Sequence, residues 1–280
     1  MPTDRLQTQR FEMKYLVREE TAQAIRRYLG CYMQRDEFAA DLPNGAYPVH
    51  SLYLDSPDLM TYQAVQTGEK NRFKLRIRYY SDTDSTVYFE YKGRMNEVIS
   101  KKRAKVKREF VQALLNGEPP QLRHLAKPDG KQFVALQEFC RLMHKLRAAP
   151  KSHVAYMREA WMSPGGNSLR VTFDRGVRCE PEFSAGLKTA LGEAVAPFDD
   201  RVVLEIKFID RLPNWVSEMV RLFGLVRGGA PKYAQGVLLI GEHRVSNQGV
   251  GIKIPAGTRP TSFPNGTPLP ARTPVAVGWR

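Results

Sequence analysis

Lys74-Leu75-Arg76-Ile77-Arg78-Tyr79-Tyr80 carries two messages on alternate residues. In a β-strand successive side chains point to opposite faces, so Lys74, Arg76 and Arg78 share one face while Phe73, Leu75, Ile77 and Tyr79 share the other. A lone strand of this kind is explained by an edge whose solvent side is charged against aggregation. The pattern recurs, however. Arg10, Glu12 and Lys14 alternate with Phe11, Met13 and Tyr15; Glu90 and Lys92 with Phe89 and Tyr91; Arg170, Thr172 and Asp174 with Leu169, Val171 and Phe173; Glu205 and Lys207 with Leu204, Ile206 and Phe208. Faces turned to water normally also collect Ser, Thr, Gln and Asn, so five strands charged on one parity predict a single shared polar surface.

Around these strands the chain reads as α+β. Strands are expected at 10–17, 49–55, 72–80, 86–92, 97–108, 152–161, 169–173 and 202–208, with helices at 19–29, 59–66, 109–115, 133–146, 215–223 and 232–241. The polar turn Ser81-Asp82-Thr83-Asp84-Ser85 has hairpin length, which favours antiparallel pairing. The stripe Phe133, Leu136, Phe139, Cys140 and Met143 is core packing of an amphipathic helix. Pro128-Asp129-Gly130 is read as a break before that helix. From Val245 onward apolar periodicity stops and Pro, Gly, Thr and Ser dominate. The reading is therefore a domain over 1–244 and a disordered Pro/Gly-rich tail over 245–280.

With 42% hydrophobic residues the 280-residue chain can bury a real core. Its formal charge of +14 calls for a polyanionic partner: nucleic acid, an anionic membrane surface or a phosphorylated molecule. Nucleic acid is disfavoured, because the aromatic residues sit mainly on the parity opposite the charges, where they cannot serve as stacking platforms. No run approaches the roughly 18 apolar residues of a membrane span, and the first residues lack a signal-peptide core, so a cytoplasmic protein is expected. Cys31, Cys140 and Cys179 are far apart and in no C-x-x-C spacing, which fits buried reduced thiols. No P-loop and no zinc-spaced His pair occurs, and His50, His124, His144, His153 and His243 read as structural or surface residues.

Antiparallel strands with grease on one parity and charge on the other are satisfied by an inside-out barrel of about eight strands, its lumen charged and its helices packed outside. The expected lining holds Arg10, Lys14, Lys74, Arg76, Arg78, Lys92, Lys101, Arg103, Arg158, Arg170 and Lys207 against only Glu12, Glu90, Asp174 and Glu205. Like charges about 6 Å apart repel by roughly 2 to 3 kcal/mol at an effective dielectric near 20, so such a lumen needs an anion. A chain of phosphates suits it, with Arg offering forked donors and Lys point charges. A carboxylate facing phosphate is tolerated through a bridging divalent cation, Mg²⁺ or Mn²⁺, which makes Glu12, Glu90 and Glu205 the candidate metal ligands.

The ordered set Arg10-Phe11-Glu12-Met13-Lys14-Tyr15, Ser51-Leu52-Tyr53-Leu54-Asp55, Lys74-Leu75-Arg76-Ile77-Arg78-Tyr79, Phe89-Glu90-Tyr91-Lys92, Lys101-Lys102-Arg103, Tyr156-Met157-Arg158, Leu169 to Asp174, Leu204-Glu205-Ile206-Lys207 and Lys232-Tyr233 resembles the VTC domain. That domain is the polyphosphate polymerase branch of the triphosphate tunnel metalloenzymes. The resemblance implies transfer of the terminal phosphate of ATP to a growing polyphosphate chain inside the tunnel. It implies that Lys14, Arg76, Arg78, Lys92, Lys101, Arg103, Arg158, Arg170 and Lys232 hold phosphates, that Tyr156 supports them and that Glu205 binds the metal. Lys14, Arg76, Arg78, Glu205 and Lys232 are the expected catalytic set. The reading admits a membrane partner for the product. Two departures stand out. The wider superfamily often opens with E-x-E-x-K, where this chain has Arg10; one carboxylate fewer favours transfer over hydrolysis. The family's usual Ser before the late Lys-Tyr is Pro231 here, which removes a hydroxyl and a backbone donor. Two alternatives remain at this level: a metal-dependent triphosphatase, and a polyphosphate or inositol phosphate binding module without chemistry.

Overall fold

The computed structural model describes residues 10–40, 42–96, 98–166 and 168–246. Nine strands form one antiparallel sheet: β1 (Arg10–Val17), β2 (Gln34–Arg35), β3 (Ala46–Asp55), β4 (Arg72–Tyr79), β5 (Thr86–Met95), β6 (Val98–Lys107), β7 (Ala149–Met162), β8 (Leu169–Pro181) and β9 (Val202–Ile209). Their order is β1-β9-β8-β7-β3-β4-β5-β6, with the two-residue β2 added beside β7. The helices α1 (Glu19–Leu29), α2 (Glu37–Ala40), α3 (Met60–Gln66), α4 (Val111–Leu115), α5 (Gly130–Leu146), α6 (Asn214–Leu222), α7 (Lys232–Ile240) and α8 (Glu242–Ser246) complete it.

The apolar parity of each strand meets these helices in two clusters. Leu75, Ile77, Tyr79, Val87, Phe89, Ala104 and Val106 pack with Leu136, Phe139, Cys140 and Met143 of α5. Val171, Phe173, Leu204 and Ile206 pack with Ala22, Ile25 and Leu29 of α1 and Val216 and Met219 of α6. A third cluster lies on the opposite parity, where Val203, in line with Glu205, and Val177 and Cys179, in line with Tyr156 past a β7–β8 bulge, pack with Tyr233, Ala234, Val237 and Ile240 of α7, so this helix sits against the charged face and not outside as expected. The charged parity faces inward, so the sheet curls with its greasy side out, as the alternation requires.

Closure takes a different form from the expected sealed barrel. Among the described residues β1 and β6, the two ends of the path, are not hydrogen-bonded to each other. The Lys92 ammonium on β5, the strand next to β6, lies 3.0 Å from Glu12 on β1, so an ion pair joins β1 to the far side of the sheet.

Several boundaries also shift. β7 and β8 run well beyond the expected strands, to 14 and 13 residues. Helix α5 begins at Gly130, because the Asp129 carboxylate accepts from the Gln132 amide at 2.7 Å and caps it. Val245 is fully buried among α7 neighbours, and the Ser246 carbonyl accepts from Lys151 at 3.3 Å, so the packed unit passes Arg244 and reaches Ser246. Residues 247–280 of the expected tail lie outside the described residues. Cys140 and Cys179 are buried as expected, but Cys31 is exposed. No helix among the described residues is long and apolar enough to cross a membrane.

Candidate functional site

Strand register places the inward side chains in rows. On β4, β5 and β6, Lys74, Lys92 and Lys101 stand abreast. The next row is Tyr53, Arg76, Glu90 and Arg103, and the one after it Ser51, Arg78, Tyr88 and Lys105. Glu90 is the counter-ion of this half. Arg76 holds its Oε2 at 2.7 Å, and Arg103 lies 3.1 Å from its Oε1, with Arg78 and Lys101 just beyond at 3.9 and 3.8 Å. Burial alone would raise the Glu90 carboxyl, but Arg76 and its neighbours hold it far below the usual carboxylate range. Burial likewise works against the Arg76 charge, which Glu90 more than restores. Lys74 differs: among the described residues no carboxylate pairs with it. Burial, with Arg76, Lys92 and Lys14 nearby, pushes it down to about 8 despite the Tyr53 oxygen, which favours its charge. Lys101 is likewise lowered to about 8 by burial, against the pull of Glu90.

The other half is built on β1, β9, β8 and β7. Lys14 faces Glu205 and Thr172 across the strands, and Glu12 faces Lys207 and Arg170. Arg158 grips Asp174 with two hydrogen bonds of 2.7 and 2.8 Å, and Lys232 reaches the same carboxylate at 2.8 Å. Asp174 is fully buried; desolvation would raise it, yet Arg158 and Lys232 lower it to about 2. Lys232 opens α7, an unfavourable place for a cation in the helix dipole, and Asp174 offsets this. Gly236 lets α7 approach closely: a Cβ there would sit 2.6 Å from the Cys179 sulfur on β8. Arg158 and Lys232 both lie over the Tyr156 ring, at 5.2 and 4.9 Å, and the Tyr156 hydroxyl accepts from Arg78 at 3.4 Å. Contacts thus run from Lys14 through Glu12, Glu205, Arg158, Tyr156 and Arg78 to Glu90 and Arg103.

Glu12 and Glu205 lie close enough for each to feel the other's charge. Burial raises Glu205, while Lys207 at 2.7 Å, Lys14 and Arg158 hold it well below the usual value. Burial and Glu205 push Glu12 up, and Lys14 at 2.6 Å and Lys92 keep it low. Two facing carboxylates fit a hard divalent cation whose remaining ligands are phosphate oxygens and water. No group of three or more His, Cys, Asp or Glu placed to hold a metal occurs among the described residues. Glu90 fits such a role poorly, since both its oxygens face arginines.

The structure brings Lys14, Lys74, Arg76, Arg78, Lys92, Lys101, Arg103, Tyr156, Arg158, Lys207 and Lys232 together on this face. Arg10 opens β1 opposite Ile209. Arg170 keeps the expected face but is tied to Asp36 at 2.7 Å. Sequence reasoning passed over Asp36, which no alternation marks. It also passed over Tyr53, Tyr88 and Lys105, which continue the charged parities of Ser51, Glu90 and Arg103. The Tyr88 ring lies 3.7 Å beneath the Arg103 guanidinium. The hydroxyls of Ser51 and Thr172, buried on this same face, have no partner among the described residues.

Fold and site define an antiparallel tunnel-type protein with a cation-rich lumen. The family model of the VTC domain matches residues 9–240, and the chain belongs to that family. Solved structures similar to it include a protein of Hippeastrum described as an adenylyl cyclase with a dominant triphosphatase activity. The two share 13% identity at a TM-score of 0.43, over 81% of this chain and 94% of that one. A protein of Pyrococcus horikoshii OT3 shares 14% identity at a TM-score of 0.40, over 82% and 98%. No curated protein matches the chain.

Proposed function

We propose that the chain is a metal-dependent polyphosphate polymerase, moving the terminal phosphate of ATP onto an inorganic polyphosphate chain in the lumen. The observation that carries this reading is the cation row Lys74, Lys92 and Lys101 beside the Arg76–Glu90–Arg103 row. Three ammonium groups abreast with two carboxylates in reach are stable together only with several negative charges between them, and a string of phosphates supplies one per unit. Membership in the VTC domain family supports the same substrate class.

In this reading Arg76, Arg78, Arg103 and Lys101 orient one end of the phosphate string, and Lys14, Arg158 and Lys232 the other. Tyr156 fixes the guanidinium of Arg78 and underlies Arg158 and Lys232. The free hydroxyls of Ser51 and Thr172 are spare donors for phosphate oxygens. An oxygen of the chain's terminal phosphate attacks the γ-phosphorus, the bond from that phosphorus to the β-bridging oxygen breaks, and ADP leaves. Mn²⁺ or Mg²⁺, held by Glu12 and Glu205, would neutralise charge on the transferred group. Lys14 and Lys207 orient those two carboxylates. The single carboxylate on the inner face of β1, where the wider superfamily carries two, supports transfer over hydrolysis.

The test is to incubate purified protein with ATP and Mn²⁺ or Mg²⁺ and to resolve the products by size on a gel. A ladder of chains is expected. Orthophosphate alone would select a triphosphatase, and tight triphosphate binding without turnover a binding module.

A further inference from the structure

Tyr53 is 3% exposed and points into the lumen between β4 and α7. Its hydroxyl oxygen accepts from the Arg76 guanidinium at 3.2 Å, and its own hydrogen meets no acceptor among the described residues. The Lys74 ammonium and the Arg76 guanidinium both lie 6.0 Å from the ring centre. On its other side the ring stacks on Tyr233, with centroids 4.9 Å apart and planes 11° apart. The two phenols face opposite ways. Tyr233 donates to the Asp55 carboxylate at 2.9 Å, and Asp55 is also bound by the Ser56, Thr61 and Tyr62 amides and the Thr61 hydroxyl. One phenol therefore has an anion to donate to, and its stacked neighbour has only cations.

Resting on the reading of the lumen as a phosphate site, we infer that Tyr53 exchanges charge with the incoming chain. In the empty lumen its oxygen is an anionic counter-ion to Arg76 and Lys74. When inorganic triphosphate or a longer polyphosphate enters, the oxygen takes one proton from solvent and donates it to a phosphate oxygen. No covalent bond other than O–H changes, and one proton is taken up per chain bound. Tyr53 is then a positioning residue: it holds the Arg76 fork while the site is empty and releases it when the substrate supplies the charge.

The groups around it agree in sign. β4 presents Lys74, Arg76 and Arg78, with Glu90 of β5 reached only through Arg76. α7 presents the neutral Tyr233, and on β7 the residue opposite is the uncharged Ser152. Asp55, on the same strand as Tyr53, is occupied by Tyr233. Burial raises the Tyr53 phenol, but Arg76 and Lys74 overcome it and bring it to about 7, whereas burial and Asp55 push Tyr233 well above its ordinary value. Adjacent titratable groups driven apart by their surroundings are a mark of a working site.

The test uses the near-ultraviolet tyrosinate band of the whole chain. Between roughly pH 6 and pH 8 an ordinary tyrosine stays protonated, so the free protein should show one tyrosine ionising out of twelve, centred near pH 7. Tyr53→Phe, which keeps the stacked ring, should lack it. Adding inorganic triphosphate at pH 8 should abolish the band. Calorimetry in buffers of different ionisation heat should count about one proton more taken up by wild type than by Tyr53→Phe. Absence of the band from the free protein overturns the inference. So does a band that persists while triphosphate raises the melting temperature, which leaves the phosphate-site reading standing. If triphosphate neither stabilises the protein nor changes the band, the phosphate-site reading fails and the inference with it.

Discussion

Lys74 shows how a binding residue can be a burden to its own fold. With no carboxylate partner, its charge is disfavoured in the empty lumen, so Lys74→Met should raise the melting temperature by a few degrees near pH 7 while weakening triphosphate binding. The sign with pH follows from its depressed value. Between about 8 and the unfolded value near 10.4, the unfolded chain holds the proton and the folded one does not, so wild-type stability rises relative to Lys74→Met over that window. Melting both proteins from pH 7 to pH 10 checks this, and a constant difference would remove the assignment. Glu205 makes the complementary case. Glu205→Gln keeps size and hydrogen bonding but weakens a metal contact, and electrostatic stabilisation of this kind is worth about 10²- to 10³-fold in rate. Turnover should fall at least tenfold and partly recover at higher metal, while triphosphate binding persists. Equal activity at equal metal would reduce Glu205 to an ion-pair partner of Lys207 and Arg158.

Among the elements, α7 is positioned by a missing side chain. Gly236 allows it against Cys179 of β8, and this approach sets Lys232 on Asp174. Gly236→Ala should cost about 1 to 3 kcal/mol by overpacking and weaken triphosphate binding through displaced Lys232. Adding Cys179→Gly, which removes both the sulfur and the β-carbon that the new methyl would meet at 2.6 and 2.7 Å, should restore triphosphate binding, and failure of that rescue would place the cause elsewhere. The strands were the legible part of this chain, because each alternates with period two and five of them share a parity. The helix start at Gly130 was not, since Pro128-Asp129-Gly130 reads equally as a breaker and as a cap, and only the Gln132 amide decides. Most of the inward cations could be read from parity. Their partners could not: that Arg170 belongs to Asp36, or that Asp174 serves both Arg158 and Lys232, depends on contacts between residues distant in sequence.

For the molecule as a whole, the excess of positive charge is concentrated where the sheet curls upon itself. Salt should therefore stabilise the empty protein, because a Debye length of about 10 Å at 0.1 M screens repulsion across the partly hydrated lumen. The same salt should shrink the stabilisation gained from triphosphate. Melting curves over a salt series with and without triphosphate measure both trends, and an empty protein that loses stability with salt would show its charges to be balanced already. The seam between β1 and β6 adds a further consequence. The ammonium that ties β1 to the strand beside β6, Lys92 of β5, is also one of the three in the unbalanced row. A fastener made from the same part that grips the cargo cannot hold both at full strength: as phosphate draws Lys92 inward its hold on Glu12 slackens, so this wall is most firmly buttoned when there is nothing inside it.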